Sequence, residues 1–139
     1  MRLVVDTNIL VSALLADTSL PAQLIVLWRQ GQFDLLTAAE QLGELRRVTR
    51  YPKIRERLVP ALAGRLVNDL RTLAVTMDKL PIVDVSKDLD DNYLLAIAVA
   101  GSADFLLTGD KRHLLGIASY GGTKIVTVRD FLALQGVLP

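Results

Sequence analysis

The chain has 139 residues, 51% hydrophobic and 22% charged, which predicts a single domain over residues 1–139 and excludes a disordered or collagen-like protein. With no cysteine and one histidine, His113, it can build no disulfide, thiolate zinc site, cysteine nucleophile or histidine-clustered zinc centre, so its chemistry must run on carboxylates. A net charge of +1 argues against a uniformly basic nucleic-acid binder, and the longest uncharged apolar stretch, Tyr93 to Gly101, is far short of the roughly 20 residues of a spanning helix.

Arg2-Leu3-Val4-Val5 reads as a strand buried on both faces that ends at Asp6, and Asp6 and Asn8 interrupt what would otherwise resemble a signal peptide. The expected compartment is therefore the cytoplasm, with no membrane partner. Thr7 and Asn8 are good caps for a short buried helix through Leu15. Leu20-Pro21 opens a second helix with Leu24, Ile25, Leu27 and Trp28 apolar; Gly31 stops it, and Phe33 to Thr37 is a second strand.

Ala38 to Arg50 has helical spacing, with Leu42, Leu45 and Val48 on one stripe and Glu40 and Glu44 sharing a face. Pro52 ends it, and Ile54 to Leu58 is a short basic turn. Pro60 to Met77 carries Leu62, Leu66, Leu70 and Leu73 at helical spacing; Pro81 to Val85 predicts a third strand, and Asp90 to Ala100 a buried helix. Asp104 to Thr108 is a fourth strand, Gly109-Asp110 a turn, Lys111 to Leu115 a short helix, Lys124 to Val128 a last strand and Arg129 to Gln135 a closing helix.

Strands alternating with helices predict the α/β class, with helices on both faces of a central parallel sheet of four or five strands. Ligands in such sheets bind outside the carboxyl ends of the strands. Asp6 closes the first strand, Asp110 follows the fourth, Asp91 stands near the start of the buried helix and Glu44 lies on a helix face, so all four can reach one end of the sheet. Carboxylates gathered there repel one another unless a cation is present, and an all-oxygen set suits Mg²⁺ or Mn²⁺. The chemistry that needs such a set is phosphodiester hydrolysis by metal-activated water.

Charge is segregated. Arg46, Arg47, Arg50, Lys53, Arg55 and Arg57 are opposed locally only by Glu56, while Asp84, Asp88, Asp90 and Asp91 are opposed only by Lys87. Arg46, Arg47, Arg50 and Lys53 would serve as a track for RNA phosphates, with Tyr51 available to stack on a base; a solvated helix pair explains the same run equally well.

The pieces Val4-Val5-Asp6-Thr7-Asn8, Glu44-Leu45-Arg46-Arg47-Val48, Asp88-Leu89-Asp90-Asp91-Asn92 and Leu107-Thr108-Gly109-Asp110, in this order, resemble the PIN-domain ribonucleases, in particular the VapC-like toxin branch. The resemblance implies a three-layer α/β/α PIN-like domain and a metal-dependent endoribonuclease using Mg²⁺ or Mn²⁺, in which Asp6, Glu44, Asp91 and Asp110 form the acidic pocket. It further implies support from Thr7, Asn8, Asn92 and Thr108, a homodimer, and a cognate antitoxin protein. Among the three neighbouring acids it selects Asp91, because Asn92-Tyr93-Leu94-Leu95-Ala96 follows; Asp88 is then the helix cap and Asp91 the third helical position. Related toxins often carry a further acid where Lys111, Arg112 and His113 stand here.

Each acid also has an ordinary explanation. Asp6-Thr7-Asn8 can be a strand end and cap, Glu44 a solvated helix acid, Asp91 a helix-dipole partner and Asp110 a turn residue. The competing reading is a catalytically inactive PIN-like module that binds RNA or protein. A phosphoacceptor domain fits poorly, because Asp6 stands alone where that class needs paired acids, and no glycine-rich nucleotide loop is present.

Overall fold

The computed structural model of the chain describes residues 1–109 and 113–138. Its elements are β1 (Arg2–Val5), α1 (Thr7–Leu15), α2 (Leu20–Arg29), β2 (Asp34–Thr37), α3 (Ala39–Val48), α4 (Pro52–Arg55) and α5 (Pro60–Leu73). They continue with β3 (Val75–Thr76), α6 (Leu89–Gly101), β4 (Phe105–Leu107), α7 (Leu114–Ile117), β5 (Ser119–Tyr120), β6 (Thr123–Val126) and α8 (Val128–Leu134). The strands form one sheet in the order β3-β2-β1-β4-β6-β5, parallel except for β5.

Strand periodicity divides the core into two. Leu3, Val5, Leu35 and Leu107 point to one face, where α1, α2, α5 and α8 cover them through Leu10, Leu24, Leu66 and Phe131. Val4, Leu36, Leu106 and Ile125 point to the other, covered by Leu94, Leu95 and Ile97 of α6 and Leu114 of α7. A parallel sheet buried on both faces needs such continuous apolar strands, and the result is the expected three-layer α/β/α arrangement.

The differences from the predicted elements are local. Among the described residues the sheet has six strands rather than four or five. The third is Val75–Thr76, entered straight from the end of α5, whereas 81–85 forms no strand: Pro81 lacks a donor for the ladder and Ile82 is 98% exposed. The extra strand, β5, folds back on β6 through Gly121 and Gly122, both at positive φ, where two-residue hairpin turns favour glycine. The buried stripe of α5 is Ala63, Leu66 and Leu70, and Leu62 and Leu73 face outward. The cap of α1 is Asp6, not Thr7 or Asn8: its carboxylate accepts the Asn8 N–H. Of the short helix expected over Lys111 to Leu115, residues 113–115 are described, and there α7 starts at Leu114.

Among the described residues no single helix is long and apolar enough to cross a membrane. The pair α1 and α2 reaches that length together, but across a 101° bend and with its apolar residues in the sheet core.

The close approach of α6 to β2 depends on Gly101, where an added Cβ would strike the buried Leu36 side chain. Gly101→Val should therefore destabilise the fold by about 1–3 kcal/mol through overpacking. Urea denaturation measures this, and an unchanged midpoint would show that Leu36 moves aside freely.

Candidate active site

The site begins at the end of the central strand. β1 lies between β2 and β4, both parallel to it, so the chain leaves β1 toward one side of the sheet and later returns on the other, opening a crevice at the carboxyl ends. Asp6 sits at its mouth and is only 8% exposed. One carboxylate oxygen accepts the Asn8 N–H at 3.1 Å and the other the Thr108 hydroxyl at 2.9 Å, so the side chain is held from α1 and from the end of β4 at once.

Asp91, 4% exposed, comes from the first turn of α6. Asp88 caps that helix by accepting the Asp90 N–H, and Asp91 occupies the third helical position, as the spacing predicts. The Ser86 hydroxyl donates to Asp91 at 3.1 Å. Asn92 holds Ser86 in place: its side-chain oxygen accepts the N–H groups of Val85 and Ser86, and its amide donates to the Ser86 carbonyl. Its support is thus indirect, through the segment before α6.

Glu44, on α3, is half-buried in the same cleft of about 260 Å³, with Asp6, Asn8, Arg47, Tyr51, Asp90 and Asp91. Burial pushes its carboxyl pKa up; the Thr7 and Tyr93 hydroxyls beside it favour the charged form, and Asp90 and Asp6 oppose it. Burial also pushes the Tyr93 phenol up, so it remains protonated and available as a donor. Tyr93 and Thr7 lie 3.0 Å apart, and the Gln41 amide donates to the Val5 carbonyl at 2.6 Å and reaches Thr7 at 3.5 Å. The Thr37 hydroxyl completes the chain by donating to Gln41 at 2.7 Å.

Gln41 and Tyr93 are thus part of the site although neither was a candidate from sequence. Gln41 carries a weak sequence signal, four residues after Thr37 and three before Glu44. Beyond Asn8 the cleft continues as a groove past Ile9 and Ser12 to Gly109. Asp110, the fourth expected acid, lies outside the described residues.

The basic run is divided by α3. Arg47 enters the acidic cleft, where its pKa is raised chiefly by the Tyr51 hydroxyl and also by Glu44 and Asp90. Arg46 and Arg50 line a separate pocket with Arg55, and Lys53 lines neither.

Among the described residues no three carboxylates converge closely enough to hold a metal ion by themselves. The donor chemistry nevertheless fits a hard divalent cation, because Mg²⁺ keeps several waters and takes only one or two carboxylates besides a substrate phosphate. Asp6 and Asp91 are the buried pair suited to that role, and the Glu44 pKa is raised first by burial and then by the charges of Asp90 and Asp6.

Because folded Glu44 binds its proton more tightly than the unfolded chain does, its contribution to stability is present below the ordinary value of 4.5 and lost as pH rises through the raised value. Glu44→Gln should therefore melt above wild type at pH 7 in chelator, with the gap closing near about pH 3.5. A gap of equal size at both pH values would contradict the assignment.

The PIN domain family profile matches residues 2–112. Among solved structures, the PIN domain of human SMG5 is similar at 16% identity and a TM-score of 0.50, covering 97% of this chain and 99% of that one, which bears on the fold alone. No curated protein matches the chain. The parallel pairing of β1 with β4, the buried Asp6 at the end of β1 and the profile spanning most of the chain agree: the chain belongs to the PIN domain family.

Proposed function

We propose that the protein is a metal-dependent endoribonuclease, hydrolysing RNA phosphodiester bonds with Asp6, Glu44, Asp91 and Asp110 as its catalytic acids. The observation that carries this reading is the cleft in which the buried Asp6 and Asp91 meet Glu44 and Asp90. Burying like charges side by side costs stability, and a cation offsets that cost. A Mg²⁺ or Mn²⁺ ion there would supply Lewis-acid stabilisation and water activation.

The protein's own groups do the positioning. Thr108 and the Asn8 N–H orient Asp6, Ser86 orients Asp91, and Thr7 with Tyr93 brackets Glu44. Arg47 brings a positive charge to the cleft wall, where an incoming phosphate needs one. The groove from Asn8 to Gly109 gives a strand room to continue past the acids.

Within the family, the order of the acid motifs supports the toxin of a toxin-antitoxin pair, with a cognate antitoxin protein and a homodimer as its partners. The compartment proposed with this reading is the cytoplasm. The second reading, a catalytically inactive module binding RNA or protein, is favoured by one observation: among the described residues no three acids stand close enough together to hold a metal ion.

Cleavage of labelled single-stranded and structured RNAs, with Mg²⁺, with Mn²⁺ and with chelator, decides between the two. The expected outcome is metal-dependent cutting by wild type, reduced about 10²–10³-fold in Asp6→Asn or Asp91→Asn, the equivalent of several kcal/mol of lost stabilisation. Circular dichroism checks that the variants fold. Full activity in either variant overturns the mechanism, and RNA binding without cutting supports the inactive module.

A further inference from the structure

On the other side of α3 from the acidic cleft lies a pocket of about 280 Å³, built between α3, α4 and α5. Arg46, Arg50 and Arg55 line its wall, and Leu58, Pro60 and Val67 are among its apolar lining. Among the described residues none of the three arginines pairs with a carboxylate; Asp69, the acid that α5 supplies, is taken by Arg29 and Arg65. Three unneutralised guanidinium groups around one concavity repel each other and attract an anion, and each offers the planar fork that suits a phosphate.

The same helix walls both cavities. Glu44, Arg47 and Val48 face the acidic cleft, whereas Arg46, Thr49 and Arg50 face the basic pocket. An α-helix is only about 10 Å across with its side chains, so a short strand crossing its carboxyl end reaches both. Tyr51, 48% exposed and just past that end, lines the cleft and offers a ring on which a base can stack.

From this arrangement we infer that the basic pocket is a nucleotide subsite: it seats one residue of a single-stranded RNA whose neighbouring segment occupies the acidic cleft. The phosphate lies against Arg46, Arg50 and Arg55, and the base against the apolar lining. The subsite rests on the ribonuclease reading for its substrate and adds to it a point of grip, and hence of base preference, away from the reacting phosphate. An acidic peptide would satisfy the arginines, but without aromatic rings of its own it gains nothing from Tyr51.

The test is binding of a fluorescent ten-nucleotide single-stranded RNA by anisotropy, in chelator so that no cutting occurs, across a salt series. Arg46→Ala, Arg50→Ala and Arg55→Ala should each weaken binding several-fold and lower the salt slope by about 0.7 per lost phosphate contact. Gly64→Leu provides the charge-neutral control. An added Cβ at Gly64, in the pocket wall on α5, meets nothing within 4 Å, so a side chain placed there starts in open space at the edge of the pocket.

Weakened binding in Gly64→Leu with an unchanged salt slope supports the subsite. Binding that drops in the arginine variants but is untouched by Gly64→Leu overturns it in favour of a solvated basic face. Tighter binding of a labelled oligoglutamate than of the RNA, through the same residues, overturns it in favour of a protein partner. Cleavage by wild type in Mg²⁺ is scored separately. Cutting with no response to Gly64→Leu ends the subsite and leaves the nuclease, and pocket-dependent binding without cutting does the reverse.

Discussion

Asp6 is the constraint around which the protein is arranged: a carboxylate almost without solvent at the tip of the central strand. A buried carboxylate must be hydrogen-bonded, and its partners come from opposite sides of the crevice, the Asn8 N–H from α1 and the Thr108 hydroxyl from the end of β4. Those two contacts tie the tip of β1 to the tip of β4 where the strand order reverses, the place where α/β sheets bind ligands. The same residue caps α1, so one side chain ends a strand, starts a helix and marks the site.

Around Asp6, polar groups that would otherwise weaken the core are linked into a chain. Thr37, Gln41, Thr7 and Tyr93 connect β2, α3, α1 and α6, and each of the first three is essentially inaccessible to water. A satisfied buried network of this kind specifies geometry more than it adds stability. Here it fixes the distance between α3, which carries Glu44, and α6, which carries Asp91. The raised Glu44 pKa shows the cost: burial and the neighbouring carboxylates disfavour its charge, and the fold tolerates that strain at the one place where negative charge is useful.

Helix α3 has a double role. Glu44, Arg47 and Val48 fall on one side of it, and Arg46, with Thr49 and Arg50 in the turn just past its end, on another, so a run rich in arginine is split between two environments of opposite character. Arg47 joins the acids while Arg46 and Arg50 meet Arg55, nine residues after Arg46 and in the next helix.

Much of this was legible from the order of residues. The apolar runs Leu3 to Val5 and Leu35 to Leu36 announce strands buried on both faces, and the Asp88 cap with Asp91 three residues on announces the start of α6, because periodicity and capping are local properties. The acidic character of the cleft was equally legible in residue type, since one histidine and no cysteine leave little else to line it. Distances across the chain were not. Thr108 meets Asp6 from 102 residues away and Tyr93 meets Thr7 from 86, and no spacing rule announces either. Nor could local pattern say that 81–85 stays outside the sheet while Val75–Thr76 joins it, or that Asn92 turns to the Ser86 segment, because both depend on which surfaces remain open once the layers have packed. Residue type and local periodicity therefore set the elements and the available chemistry, whereas the packing of distant elements chose which carboxylates are buried, which hydroxyls hold them and which arginines share a pocket.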